Sequence, residues 1–250
     1  MKYFIRQLRG QELGNFVNTT PIIQTLYSMY NEPIPVVFDT SYIAELYKNW
    51  NKIKIINLDE AKHLTQLIHT GEGTTLNKPE YISRHNEVMR RLNKTSQTIP
   101  HTYVPSKIDS SGDYCVIARG CIDAEHAVWK DKKEVGDEIY KYIIDRINIP
   151  IYIVGNTADY KRSLHRMQSD NVTFILDDIN TCVSMIAGSK YFISNDTGFM
   201  HVASALNKES FVIWKHTPFE KNKTPSSKTT YSKIVNWYTD FDRWIDARQK

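Results

Sequence analysis

Glycine is scarce in this chain, ten of 250 residues. The few present are therefore expected where backbone geometry or a close approach demands them. No G-x-G-x-x-G follows the first apolar run, which removes the usual signature of a nucleotide-sugar epimerase or a dehydrogenase. Cysteine is rarer still. Cys115, Cys121 and Cys182 form no ligand spacing. Cys115 and Cys182 lie in apolar runs and read as buried thiols, which points to a reducing cytoplasm and no metal site. No run approaches the ~18 apolar residues that span a bilayer. The start, Met1 to Arg6, is too short and too polar for a secretory leader and reads as a first strand.

What is present is a soluble globular composition, 41% hydrophobic and 24% charged. The formal net charge is only +4, but the basic residues are uneven. Residues 84–107 hold five Lys or Arg against one acid, Glu87, and residues 215–233 hold five Lys against Glu220. Such runs are ordinarily solvated faces; they also suit a polyanion.

The apolar pattern alternates between short runs and helical periods. Residues 2–8, 35–38 and 52–58 read as strands. Helices are expected over 41–50 and after Thr19 or Thr20, where Pro21 fits a first turn. A helix over 79–92 follows a loop at 70–80. Residues 93–112 contain two prolines and no clear period, which marks a linker. The rhythm then restarts, with strands at 114–118, 149–154, 172–176 and 211–214, and helices at 132–147, 159–167 and 181–187. Residues 215–230 read as a polar loop and 231–248 as a final amphipathic helix. This βαβ rhythm implies parallel sheets. The fold class expected is α/β, two Rossmann-like domains facing a cleft, with boundaries at 1–105 and 106–250.

The stretch 190–206, KYFISNDTGFMHVASAL, organises the second half. Tyr191-Phe192-Ile193 is a short strand, Ser194 to Gly198 a turn, and Met200, Val202, Ala203, Ala205 and Leu206 a helix face. Thr197 is placed to cap that helix, and Gly198 to admit a ligand near the backbone. The free N–H groups and positive dipole of such a helix start attract phosphate. An ordinary capped connection is the alternative.

NDTGFMHVASAL resembles the NDSGPMHLAAAL signature of the family 9 glycosyltransferases, the bacterial heptosyltransferase family. The match runs through Asn195, Asp196, Thr197, Gly198, Met200, His201, Ala203, Ala205 and Leu206. Gly14 to Leu26 resembles the family's GDxLxxTPxLxxL, residues 85–92 are similar to its HxxxRxLxLL helix, and Trp129 to its KxWPxxxF segment. The resemblance implies the GT-B fold, here with a reduced amino-terminal domain. It also implies metal-independent transfer of a sugar from a nucleotide-diphosphate donor to an acceptor hydroxyl, with no cofactor beyond that donor substrate.

Such a reaction needs groups that hold the diphosphate and stabilise its growing charge, and a base for the acceptor. The backbone of Thr197 to Met200 suits the phosphates, with His201 near the same helix end. Asp196 suits sugar hydroxyls. Gly155, at a strand end, is a candidate for the nucleotide pocket. The family's catalytic aspartate falls on Asn15, whose amide has no useful basicity; Glu12 and Asp39 are the candidate replacements. The family's phosphate-binding lysine falls on Ala127; Arg119 is the expected replacement among Arg119, His126 and Lys130. The acceptor implied is a saccharide of the lipopolysaccharide type. A hydroxymethylated DNA base, as acted on by some bacteriophage enzymes, is the alternative acceptor. The rival of another class is an inactive sugar-nucleotide-binding protein.

Overall fold

The computed structural model describes residues 1–9, 13–72, 77–95, 98–106, 111–119, 133, 135–162, 164–215 and 217–249. They form two compact units, Met1–Pro105 with Pro218–Pro225, and Ser106–Thr217 with Ser226–Lys250. The sequence pattern gives all of 106–250 to the second half, whereas Pro218–Pro225 groups with the first.

Unit 1 holds a four-stranded parallel sheet of β1 (Tyr3–Gln7), β2 (Ile34–Phe38), β3 (Ile53–Ile55) and β4 (Thr65–His69), in the order β3-β2-β1-β4. Its helices are α1 (Leu13–Val17), α2 (Thr20–Tyr30), α3 (Ser41–Tyr47), α4 (Leu58–Ala61) and α5 (Glu80–Arg91). Helix α2 begins where Pro21 tolerates a missing N–H, and it stops at Asn31, whose φ of 53° is left-handed. It buries Ile22, Ile23 and Leu26. Two details depart from the pattern. Strand β3 ends at Ile55 because Asn57 and Glu60 form a reciprocal capping box that starts α4. Strand β4 lies in TQLIH, which has two apolar residues and no alternation worth reading; its pairing with β1 makes it a strand.

Helices α2 and α5 are joined by a buried hydrogen bond, Thr25 Oγ1 to His85 Nε2 at 3.0 Å. Burial pushes the His85 imidazolium below its ordinary value of 6.5.

Unit 2 holds six parallel strands, β5 (Cys115–Ala118), β6 (Ile151–Val154), β7 (Val172–Ile175), β8 (Tyr191–Asn195), β9 (Ser210–Trp214) and β10 (Thr229–Lys233). The order is β10-β9-β8-β5-β6-β7, so the winding reverses between β5 and β8. Strands β5, β8 and β9 are buried at every position, as strands covered on both faces must be. The connecting helices include α6 (Asp137–Arg146), α7 (Thr157–Arg162), α8 (Ile179–Gly188) and α9 (Gly198–Ala205). A 3₁₀ turn, Leu164–Met167, follows α7.

The end of the chain corrects the expected single helix over 231–248. Residues 229–231, Thr-Thr-Tyr, suit a strand, and β10 pairs with β9 along its full length. A shorter helix α11 (Trp237–Asp246) follows, and α10 (Phe219–Asn222) lies within the expected loop. Phe241, Trp244 and Ile245 of α11 enter the core with Ile139, Ile143, Ile193 and Phe211. Phe241 meets Phe211 edge-on, with ring centroids 5.3 Å apart.

Phe241→Ala is expected to cost unit 2 about 3–5 kcal/mol, read as a lower urea midpoint by tryptophan fluorescence. For His85 the folded proton affinity is the lower one, so the unfolded chain takes up its proton first as pH falls. The stability His85 contributes above 6.5 is therefore lost as pH falls through that value towards the depressed folded one. Urea midpoints at pH 7.5 and 5.5 should converge in His85→Gln relative to the parent chain.

Candidate functional site

Ligands of parallel α/β sheets sit beyond the carboxyl ends of the strands, where the winding reverses. In unit 2 this point lies past β5 and β8. Strand β5 leads into Arg119, β8 into Asp196-Thr197-Gly198, and β9, beside β8, into the loop holding Thr217.

Asp196 is buried, with 3% of its surface exposed. Its Oδ2 accepts a hydrogen bond from Thr217 Oγ1 at 2.5 Å and lies 3.2 Å from Lys133 Nζ. Trp214 Nε1 donates to the Thr217 carbonyl at 2.8 Å, which fixes that loop to the end of β9. Asn195 is also buried. Its Nδ2 donates to the Lys133 carbonyl at 2.7 Å, and its Oδ1 accepts from the Tyr140 hydroxyl at 3.2 Å. Adjacent residues of one turn thus hold Lys133 by its backbone and by its ammonium group. A buried carboxylate requires such partners, because desolvation without them costs several kcal/mol.

The turn then enters α9. Thr197 is the extended residue before the helix, with φ −138° and ψ 170°, yet its hydroxyl makes no capping bond. The Met200 N–H donates to the Thr197 carbonyl at 3.2 Å. Gly198 and Phe199 supply the first amides of the helix, which have no acceptor four residues back. The hydroxyls of Thr197 and Ser194 are buried and without a partner among the described residues. An orphaned buried hydroxyl costs about 1–3 kcal/mol, which a ligand oxygen would relieve. Gly198 has ordinary helical geometry; the positive-φ glycine among the described residues is Gly71, at 101°. The Met200 side chain is buried and leaves its backbone to serve the turn, and His201 is buried beside it.

Arg119 is placed at the strand end but is engaged inside the unit. Its guanidinium pairs with Asp137, donates to the Val135 carbonyl at 3.0 Å and lies 5.6 Å from the Tyr140 ring centre. It positions the segment carrying Lys133 rather than offering an open fork to phosphate. Gly155 follows β6, and its N–H donates to the Ile175 carbonyl at 3.2 Å. Asp178 caps α8 through the Thr181 N–H at 2.8 Å. Burial, and then Asp177, push the nearby Cys182 thiol up to about 11, as expected for an inert buried thiol. Gly120, Cys121, His126, Ala127, Trp129 and Lys130 lie outside the described residues.

In unit 1, Glu12 lies outside the described residues. Asp39 ends β2 in a two-pronged pair with Arg6, at 3.3 and 3.1 Å, so both its oxygens already accept. Asn15 lies in α1. Its Oδ1 and its backbone carbonyl each accept from Arg84 of α5 at 2.6 Å. The basic stretch 84–107 is largely engaged within the unit. Arg84 is fully buried, and Arg90 and Arg91 both bind Glu87, holding its carboxyl down at about 2.

Residues 173–242 match the model of glycosyltransferase family 9 (heptosyltransferase). The matched stretch begins in β7 and ends in α11. A curated relative, lipooligosaccharide heptosyltransferase 2 of Haemophilus ducreyi, is 40% identical over 48 residues, which is 19% of this chain and 14% of that protein. Solved structures share the fold over nearly the whole chain. The E. coli heptosyltransferase WaaC with ADP aligns at a TM-score of 0.72 and 10% identity, over 97% of this chain and 99% of its own. The E. coli ADP-heptose lps heptosyltransferase II gives 0.68 at 12% identity, over the whole of both. A family 9 transferase from Veillonella parvula gives 0.69 at 12%, over 97% and 88%. The fold is therefore GT-B. The matched segment includes β8, the turn with Asp196, and α9. Among the described residues, no helix is long and apolar enough to cross a membrane, and no group of His, Cys, Asp or Glu is placed to hold a metal ion.

Lys133 is the site residue that sequence reasoning missed. It follows Trp129 by four positions, whereas the family lysine precedes its tryptophan. The available signal was a basic residue just ahead of a helix near the vacated lysine position, which charge alone does not separate from its neighbours. Thr217→Val should cost about 1.5–3 kcal/mol, the value of a hydrogen bond to a charged group. Thr217→Ser should keep most of it, both read by urea unfolding.

Proposed function

We propose that this protein is a glycosyltransferase of the heptosyltransferase type, taking a sugar from a nucleotide-diphosphate donor, of the ADP-heptose kind, to an acceptor hydroxyl on a saccharide. The observation that carries this reading is the turn Asn195 to Gly198 with its orphaned Thr197 hydroxyl, at the start of α9. It is supported by the matched segment over the same turn and by the structural neighbours E. coli heptosyltransferase WaaC with ADP and with ADP-2-deoxy-2-fluoro heptose.

In this reading the amides of Gly198 and Phe199 and the Thr197 hydroxyl receive the diphosphate, and the helix dipole favours its charge. Lys133 supplies the mobile cation. Its stem is fixed at the backbone by Asn195, and its ammonium leaves Asp196 to meet the diphosphate as the sugar–oxygen bond breaks. Asp196, held by Thr217, then accepts from hydroxyls of the sugar. The leaving charge is met by protein groups rather than by a metal ion. Gly155 and the loop after β7 border the nucleotide end, and His201 backs the helix start. Arg119 and Asn195 act as positioning residues.

Calorimetry with a panel of nucleotide sugars tests the reading. ADP-sugars should bind, and Lys133→Ala should weaken them about tenfold, roughly the value of one charge-assisted contact. Silence across the whole panel would remove the proposal.

A further inference from the structure

The hydrogen-bond pattern around Asn15 fixes the sense of its amide. Arginine only donates, so the atom facing Arg84 Nη2 at 2.6 Å is the oxygen Oδ1. The Nδ2 group is therefore the part of the side chain left to interact. It donates to no described residue, and Asn15 is half-buried rather than sealed. Arg84 cannot release this grip easily, because Nη1 also binds the Asn15 carbonyl at 2.6 Å and Nη2 binds Glu80 at 3.1 Å.

The charge around the amide is uneven. Glu80 links two cations, with Arg84 on Oε2 and Lys221 3.3 Å from Oε1. Asn18 Nδ2 also donates to Glu80, at 3.2 Å. Arg84 Nε is buried without a partner among the described residues. The cluster thus presents donors and an excess of positive charge, next to an amide whose free end is a donor. A protonated hydroxyl awaiting a base finds nothing to take its proton at Asn15. An ionised oxygen finds what it needs.

The geometry points to an oxyanion-binding subsite at Asn15, in which Nδ2 donates to a carboxylate or phosphate oxygen of the acceptor substrate and Arg84 positions it. The binding stands on unit 1 alone; its assignment to the acceptor rests on the glycosyltransferase reading. Where the family resemblance puts an aspartate, this chain recognises charge instead of removing a proton.

The test uses the full chain labelled with ¹⁵N-asparagine and ¹⁵N-arginine, titrated with inorganic phosphate, acetate and neutral glucose at constant ionic strength. The Asn15 side-chain amide, identified by its loss in Asn15→Asp, should shift saturably with phosphate or with acetate and not with glucose. The tighter anion tells a phosphorylated acceptor from a carboxylated one. In Asn15→Asp, anion shifts of the Arg84 Nε–H should disappear, because the new carboxylate repels the ligand. Lys221→Gln, at a more exposed position, should weaken the anion roughly threefold, as loss of a screened charge does. No Asn15 shift with either anion, an equal shift with glucose, or unchanged affinity in both variants overturns the proposal. Nucleotide-sugar binding is measured separately. A chain that binds donor but no anion loses this inference alone, and one that binds anion but no donor loses the transferase reading instead.

Discussion

A carboxylate taken out of water has to be matched, and the second unit is arranged around one such match. Asp196 ends the central strand β8 with almost no exposed surface. Its partners come from both sides, Thr217 from beyond β9 and Lys133 from the segment that leads to α6. Without them the ionised form would be unfavourable by several kcal/mol. The requirement reaches outwards. Trp214 must hold Thr217, Asn195 must hold the Lys133 backbone, and Arg119 with Asp137 must hold the start of α6. A set of polar residues that would each be costly alone becomes a connected frame at the carboxyl ends of the central strands.

The sequence was readable wherever burial was complete. The runs at β5, β8 and β9 are mostly apolar because both faces are covered, and the helical period of 139, 143 and 147 survives in α6 and its C-cap. It was hard to read where pairing, not side-chain chemistry, makes the element. Strand β4 has two of its five residues exposed, and β10 begins in a threonine-rich tract that reads as loop until β9 supplies the ladder. The turn at 195–198 was legible as a motif, but the division of labour within it was not. Asn195 and Arg119 carry the residue types of ligand contacts and are occupied by Tyr140, Lys133 and Asp137. Lys133 looks like surface charge and proves to be the ion partner of Asp196. Such exchanges depend on three-dimensional neighbours 18, 55 and 62 positions apart, which no local pattern records.

The first unit shows the same economy in a different form. Arg84 has lost its exposure entirely and serves as a central post for Asn15, Thr19 and Glu80. Burial pulls its proton affinity down and Glu80 restores part of it, so the guanidinium stays charged in a place where a lysine would be at risk of neutrality. Its planar fork also dictates which end of the Asn15 amide is free, and a point charge would not.

The return of Pro218–Pro225 to the first unit has a consequence for the evolution and handling of the molecule. Lys221, on that returning strap, is a partner of Glu80. The first unit is therefore discontinuous along the gene. Severing the chain after residue 105 would not liberate an intact amino-terminal body; it would leave Glu80 stripped of one counter-ion and the unit missing a helical turn. Swapping this half between relatives calls for two crossovers, not one, and a lineage that shortened either piece would have had to keep the other in step.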